Sequence, residues 1–168
     1  MRRDASTVLP TLDLVEFVEG AVVPDALYRT SRYRTLVLGT ADIMCWINDI
    51  HSLHLERSDP INLVNVLNHH ERLGVQRAID AVADRIALRV EDHLAAAREL
   101  PMVMDALGLG REAQAPVVRC VRDMRSWAAG MEAWDRTDTI RFADSEASAP
   151  GTKPSYVEDL LDRPRRVP

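Results

Sequence analysis

The sequence predicts an all-α protein. Three observations carry that expectation. Apolar residues recur at three- and four-residue steps over long stretches, Pro and Gly separate those stretches, and no run of strict alternation reads as a strand.

Taken in order, Leu12, Val15 and Val18 follow a helical rhythm that stops at Pro24. A second helix is expected from Ser31 to about Glu56, long, poor in Gly at its centre and amphipathic. Asp59-Pro60 marks the next break, Asp59 suited to capping and Pro60 to a first helical turn, so a third helix is expected from Pro60 to Glu71. From Val75 to Leu100, the residues Ile79, Val82, Ile86, Val90 and Leu94 form one apolar stripe lined by Arg, Asp and Glu, the pattern of a long surface helix. Pro101, Gly108 and Gly110 interrupt it before a last helix from Arg111 to Trp134. From Ala143 onward Ser, Ala, Pro, Gly and charge dominate, so residues 1–142 read as the helical domain and 143–168 as a disordered tail.

A chain of 168 residues, 46% hydrophobic and 28% charged, is ordinary for one globular unit. The net charge of −5 gives no basic field to attract nucleic acid or anionic lipid, so neither is an expected partner. No 18 apolar residues run together, and the start Met1-Arg2-Arg3-Asp4 does not resemble a signal peptide. Cys45 and Cys120 lie in apolar helical stretches without CxxC spacing, which favours thiols and a cytoplasmic setting.

The chemistry-bearing pattern is Asn48-Asp49-Ile50-His51-Ser52-Leu53-His54-Leu55-Glu56. Asn48, Ser52 and Glu56 are spaced i, i+4 and i+8, and each step of four advances a helix by about 400°, so they form a stripe over roughly 12 Å. An amide oxygen, a hydroxyl and a carboxylate are hard donors suited to Mg2+. Leu36, Val37, Leu38, Ile43, Met44, Cys45, Trp46 and Ile47 precede them, so the stripe ends a buried helix rather than decorating an exposed one. His51 and His54 with Glu56, or His69 with His70, could be read as zinc ligands, but neither set has the helical His pair with flanking Glu of zinc hydrolases.

The pattern Asn-Asp-Ile-x-Ser-x3-Glu ending an apolar helix resembles the second metal motif of class I terpene synthases. The resemblance continues through Asp59-Pro60-Ile61-Asn62-Leu63-Val64, then Trp127, Gly130, Trp134 and the pair Arg141-Phe142. It implies the C-terminal part of the class I terpene synthase helical bundle, with Mg2+ as cofactor on Asn48, Ser52 and Glu56. It also implies an isoprenyl diphosphate substrate, farnesyl diphosphate in most relatives, ionised and cyclised with diphosphate release.

By the same resemblance Arg2, 46 residues before Asn48, stands at the diphosphate-sensor offset, with Arg3 as the neighbouring alternative and Ala5 and Ser6 in the linker and effector positions. Arg2 and Ser6 are thus candidate catalytic residues, and Arg2, Arg3 and Arg141 candidate diphosphate clamps, since a guanidinium pairs bidentately with phosphate oxygens. Leu55 stands where many relatives have Lys, and Phe142 replaces the usual terminal Tyr. Met44, Cys45, Trp127 and Trp134 are candidate pocket-lining residues, core packing being the competing role for the tryptophans.

The family also uses an aspartate-rich motif on an earlier helix, which no residue before Arg2 supplies. Glu158-Asp159-Leu160-Leu161-Asp162 imitates it in the wrong part of the sequence and reads as solvated charge. The expectation is therefore a truncated or mis-started gene product, or a half that works with a complementary N-terminal half or as a homodimer. The alternative is a non-catalytic helical remnant or interaction module of the same fold.

Overall fold

Thr30 opens the central helix of the protein by accepting a hydrogen bond from the Tyr33 N–H, and the 21 residues that follow run almost without interruption through the core. The structure, a computed structural model, describes residues 3–4, 6–57 and 59–142. The helices are α1 (Val8–Val18), α2 (Asp25–Tyr28), α3 (Ser31–His51), α4 (Leu63–Glu71), α5 (Val75–Ala106) and α6 (Arg111–Thr137), with a 3-10 turn at Ile140–Phe142. No strand occurs among the described residues, in agreement with the all-α expectation. The expected tail at 143–168, with its Glu158–Asp162 cluster, lies outside the described residues.

Two apolar cores hold α3 in place. On one side Leu36, Val37 and Ala41 of α3 meet Leu12 of α1, Leu100 and Met104 of α5, and Val117, Val121 and Met124 of α6. On the other, Val64 and Leu67 of α4 pack with Ala78 and Val82 of α5 under Trp46 and Ile50 of α3. At Gly39 α3 faces Arg89 and His93 of α5, where an added Cβ would only touch the Arg89 side chain, at 3.4 Å from Cδ. Removing this apolar surface from water at about 25 cal/mol per Å2 is the main force assembling the bundle.

The helices depart from the sequence expectations in four places. The four-residue α2 is too short to show a period. Pro101 does not end α5, which continues to Ala106 because Leu100 and Met104, one turn apart, are both anchored in the core. α3 ends at His51 rather than Glu56, yet the Glu56 N–H still donates to the Ser52 carbonyl at 2.9 Å, so one further helical turn preserves the i, i+4 relation. Finally, α4 begins at Leu63 rather than Pro60. Asp59 instead accepts from the Ile61 N–H at 2.9 Å in a tight turn, and Asn62 is the cap, its side-chain oxygen accepting from the Val64 N–H at 3.0 Å.

Candidate metal centre

The stripe at the end of α3 closes into a hydrogen-bonded cluster. Ser52 is buried and its hydroxyl donates to Glu56 Oε2 at 2.8 Å. With its proton committed to the carboxylate, the Ser52 oxygen keeps lone pairs for another partner. Glu56 Oε2 also accepts from Asn62 Nδ2 at 3.2 Å, while Glu56 Oε1 stands 3.8 Å from Arg141 Nη2. Asn48, one turn earlier on α3, is half-buried. Two oxygen donors in contact and a third a turn away match the donor chemistry of a hard divalent cation.

Arg141 reaches Glu56 because the chain turns back after α6. The Thr139 N–H bonds to the Trp134 carbonyl at 3.0 Å and the Arg141 N–H to Thr139 Oγ1 at 3.1 Å, forming the 3-10 turn. The Phe142 ring stacks on His51 at 6.0 Å and lies edge-on to His54 at 6.4 Å, and the Arg141 guanidinium lies 5.4 Å from the Phe142 centroid. Asp135 on α6 is 4% exposed, and its Oδ2 has no hydrogen-bond partner. Burial raises the Asp135 carboxyl above the ordinary range, opposed by the nearby His51 and Arg141.

The N-terminal candidates lie further along α3. Arg3 bonds through Nε and Nη2 to the buried carboxylate of Asp42, which also takes Arg89 Nη2 at 3.0 Å. The hydrogen bond to Asp42 is the main reason the Arg3 pKa is raised. Two of its donors thus face a carboxylate of the fold, not Glu56. Ser6 donates to the Arg3 carbonyl at 2.8 Å and accepts from the Cys45 thiol at 3.4 Å, three residues before Asn48 on α3. Arg2 and Ala5 lie outside the described residues.

The remaining candidates are scattered. Met44 and Cys45 are buried on α3, Trp127 is half-buried on α6 and Trp134 is 48% exposed. Among the described residues no group of three or more His, Cys, Asp or Glu is gathered for a metal, and His69 and His70 stack edge-on with each other at the exposed end of α4. A largely apolar recess of about 340 Å3 opens between α3, α5 and α6, walled by Ile43, Ile47, Ile86 and Val90 together with Arg125 and Glu132 of α6. It shares no lining residue with the Ser52–Glu56–Arg141 cluster, and Ile43 and Ile47 fall roughly opposite Ser52 around α3 at about 100° per residue.

Sequence reasoning missed two residues that organise this region. Asp42 is signalled only as a lone charge inside the apolar run of α3, and Asn62 only as one residue of the 59–64 stretch, inside the helix expected from Pro60. The buried Asp49 carboxylate accepts from the Leu63 N–H at 2.9 Å and its carbonyl from Asn62 Nδ2 at 2.9 Å, docking the start of α4 against the end of α3.

Residues 1–92, more than half of the chain and including the whole stripe, match the family model described as terpene synthase family 2, C-terminal metal binding. The chain belongs to the terpene synthase family. It is 33% identical over 147 residues to a (+)-corvol ether B/(+)-corvol ether A synthase of Kitasatospora setae, 86% of this chain and 43% of that protein. It is 30% identical over 135 residues to a (-)-delta-cadinene synthase of Streptomyces clavuligerus, 79% of this chain and 41% of that one. Among solved structures a T181N cucumene synthase superposes with a TM-score of 0.73 at 27% identity, over 81% of this chain and 46% of that chain. The chain therefore spans less than half the length of the relatives it matches and corresponds to the C-terminal region of a class I terpene synthase. No helix among the described residues of this terpene synthase region is long and apolar enough to cross a membrane.

Proposed function

We propose that this chain supplies the metal- and diphosphate-binding wall of a terpene cyclase that ionises and cyclises an isoprenyl diphosphate with release of diphosphate. Asn48, Ser52 and Glu56 hold Mg2+, and Arg141 binds the diphosphate beside it. The convergence of the Ser52 hydroxyl, the Glu56 carboxylate and the Arg141 guanidinium is the observation that supports this reading. Farnesyl diphosphate is the first substrate to test, because the corvol ether synthase relative is named as a farnesyl diphosphate cyclase.

The bound cation would spread the negative charge that develops on the departing diphosphate. Around it, Glu56 orients the Ser52 oxygen by accepting its proton, and Arg141 exchanges a carboxylate for phosphate oxygens, which a guanidinium grips in two parallel hydrogen bonds. Arg3, fixed to Asp42, serves as an anchor for the segment in which Arg2 is the diphosphate sensor and Ser6 the effector. Buried Met44 and Cys45, one turn before Asn48, are the α3 residues closest in register to the hydrocarbon chain, whereas Trp127 and the half-exposed Trp134 lie outside both apolar cores. A cytoplasmic setting accords with Cys45 and Cys120 forming no disulfide.

Ionisation is assigned to an assembly that also carries the aspartate-rich motif of the family. The test has two parts. Calorimetric titration of Mg2+ with inorganic pyrophosphate into the chain should give binding that Glu56→Gln abolishes and Arg141→Ala weakens about tenfold, the loss of one hydrogen bond to a charged group. Incubation with farnesyl diphosphate and Mg2+ should give neither terpene nor diphosphate without the complementary half. Absence of any Mg2+–pyrophosphate binding would favour a non-catalytic helical relative.

A further inference from the structure

We infer that Asn62 is the positioning residue of the metal-binding carboxylate, holding Glu56 in its ligating orientation from the N-cap of α4. The inference rests on the assignment of Glu56 to the metal site and adds to it a residue outside the Asn48–Ser52–Glu56 stripe.

Asn62 is fully buried, and its amide uses both ends. Nδ2 donates to Glu56 Oε2 at 3.2 Å and to the Asp49 carbonyl at 2.9 Å. Oδ1 accepts from the Val64 N–H at 3.0 Å and, more weakly, from the Asn65 N–H at 3.5 Å. One side chain therefore ties together the last turn of α3, the carboxylate and the start of α4. The backbone at Glu56 is held from the same helix, since Asn65 Nδ2 donates to the Glu56 carbonyl at 2.6 Å and to the Asp59 carbonyl at 3.1 Å.

This arrangement matters because Glu56 lies past the end of α3, where the helix no longer fixes its side chain. With Oε2 engaged by Asn62 and Ser52, rotation of the carboxylate is restricted and Oε1 is left toward Arg141. A ligand already oriented loses less side-chain freedom when the cation arrives. Partners that orient a ligand in this way typically contribute about 10- to 100-fold in metal affinity.

Asn62 also caps α4, so its removal must be separated from simple loss of structure. Asn62→Ala loses the cap and the bonds to Glu56 and the Asp49 carbonyl, whereas Asn62→Ser keeps a capping oxygen but is too short to reach Glu56 or the Asp49 carbonyl. Mn2+ binding to the 168-residue chain with inorganic pyrophosphate would be followed by electron paramagnetic resonance for the wild-type chain, both variants and Glu56→Gln. Circular dichroism melting of each variant runs alongside. We expect Asn62→Ser to keep its helix content and melt above Asn62→Ala, yet bind Mn2+ about 10- to 100-fold more weakly than wild type with an altered Mn2+ line shape. Recovery of both stability and affinity in Asn62→Ser, or an affinity loss found only where helix content is lost, overturns the inference and leaves the Glu56 assignment standing. Mn2+ binding unchanged in Glu56→Gln removes the metal-site reading itself, and the role of Asn62 with it.

Discussion

Replacing Asp42 with Asn probes a buried carboxylate held by two arginines. The Asp42 side chain is 4% exposed and receives Arg3 Nη2 at 2.9 Å, Arg89 Nη2 at 3.0 Å and the Arg3 Nε–H. Hydrogen bonds to charged groups contribute about 1.5–3 kcal/mol each, so three would sum to about 4.5–9 kcal/mol if none were replaced. Much of that is recovered, because the Arg3 and Arg89 side chains remain 35% and 31% exposed and regain water, and Asn keeps one acceptor. The expected loss is about 2–3 kcal/mol for Asp42→Asn, and about 3–4 kcal/mol for Asp42→Ala, which leaves both guanidinium groups with water alone in place of the carboxylate. Urea unfolding with an unchanged denaturant slope measures it. A double-mutant cycle with Arg89→Ala should give a coupling above about 1 kcal/mol. Because the carboxylate is shielded from ions, 0.5 M salt, a concentration at which screening acts within roughly 4–5 Å, should change the loss little. An Asp42→Asn variant within about 0.5 kcal/mol of wild type, the range of ordinary surface substitutions, would refute the reasoning.

Two further outcomes follow from buried polar groups. His93, 3% exposed with Nδ1 3.4 Å from Thr40 Oγ1 and no partner on Nε2, has its pKa lowered by burial and by Arg125 on α6, against a bond involving the Leu36 backbone. The unfolded chain then takes up the proton first, so stability is complete above the ordinary histidine value of 6.5 and falls as pH drops toward the lower folded value, by at most about 1.4 kcal/mol per pH unit. Urea midpoints between pH 7.5 and 5 should fall less steeply in His93→Gln, and equal slopes would contradict the prediction. Tyr33→Phe removes the hydroxyl that donates to Glu16 Oε1 at 2.8 Å, leaving a carboxyl whose pKa burial already raises. It should cost about 1–2 kcal/mol in thermal unfolding and move the Glu16 titration, followed by NMR, further upward. A Glu16 titration unchanged in Tyr33→Phe would show that the bond contributes nothing.

The positions where the sequence expectations failed share a cause. Asp59-Pro60 and Asn62 are both competent to start a helix, and local chemistry does not rank them. Asn62 prevails because Asp49, 14 residues before Leu63, accepts the Leu63 N–H and offers its carbonyl to Asn62. Pro101 looks like a stop until Leu100 and Met104 are seen packed in one core. The resemblance of Arg141 to a terminal diphosphate arginine was legible, whereas its approach to Glu56 depends on a turn that brings residues 85 positions apart within 3.8 Å.

By itself the sequence determined what is periodic and local. It gave the helical class, the α3 and α5 stripes, the i, i+4, i+8 spacing of Asn48, Ser52 and Glu56, and the family likeness those residues carry, because a helix converts spacing into direction without help from the rest of the chain. Only the tertiary structure decided the pairings that give those residues their surroundings. Arg3 and Arg89 converge on Asp42 from 39 and 47 positions away, Asn62 reaches back to Glu56, and Phe142 folds onto His51. Each pairing joins separate elements whose approach is set by burial of the two apolar cores, a property of the whole packed bundle that no local pattern encodes.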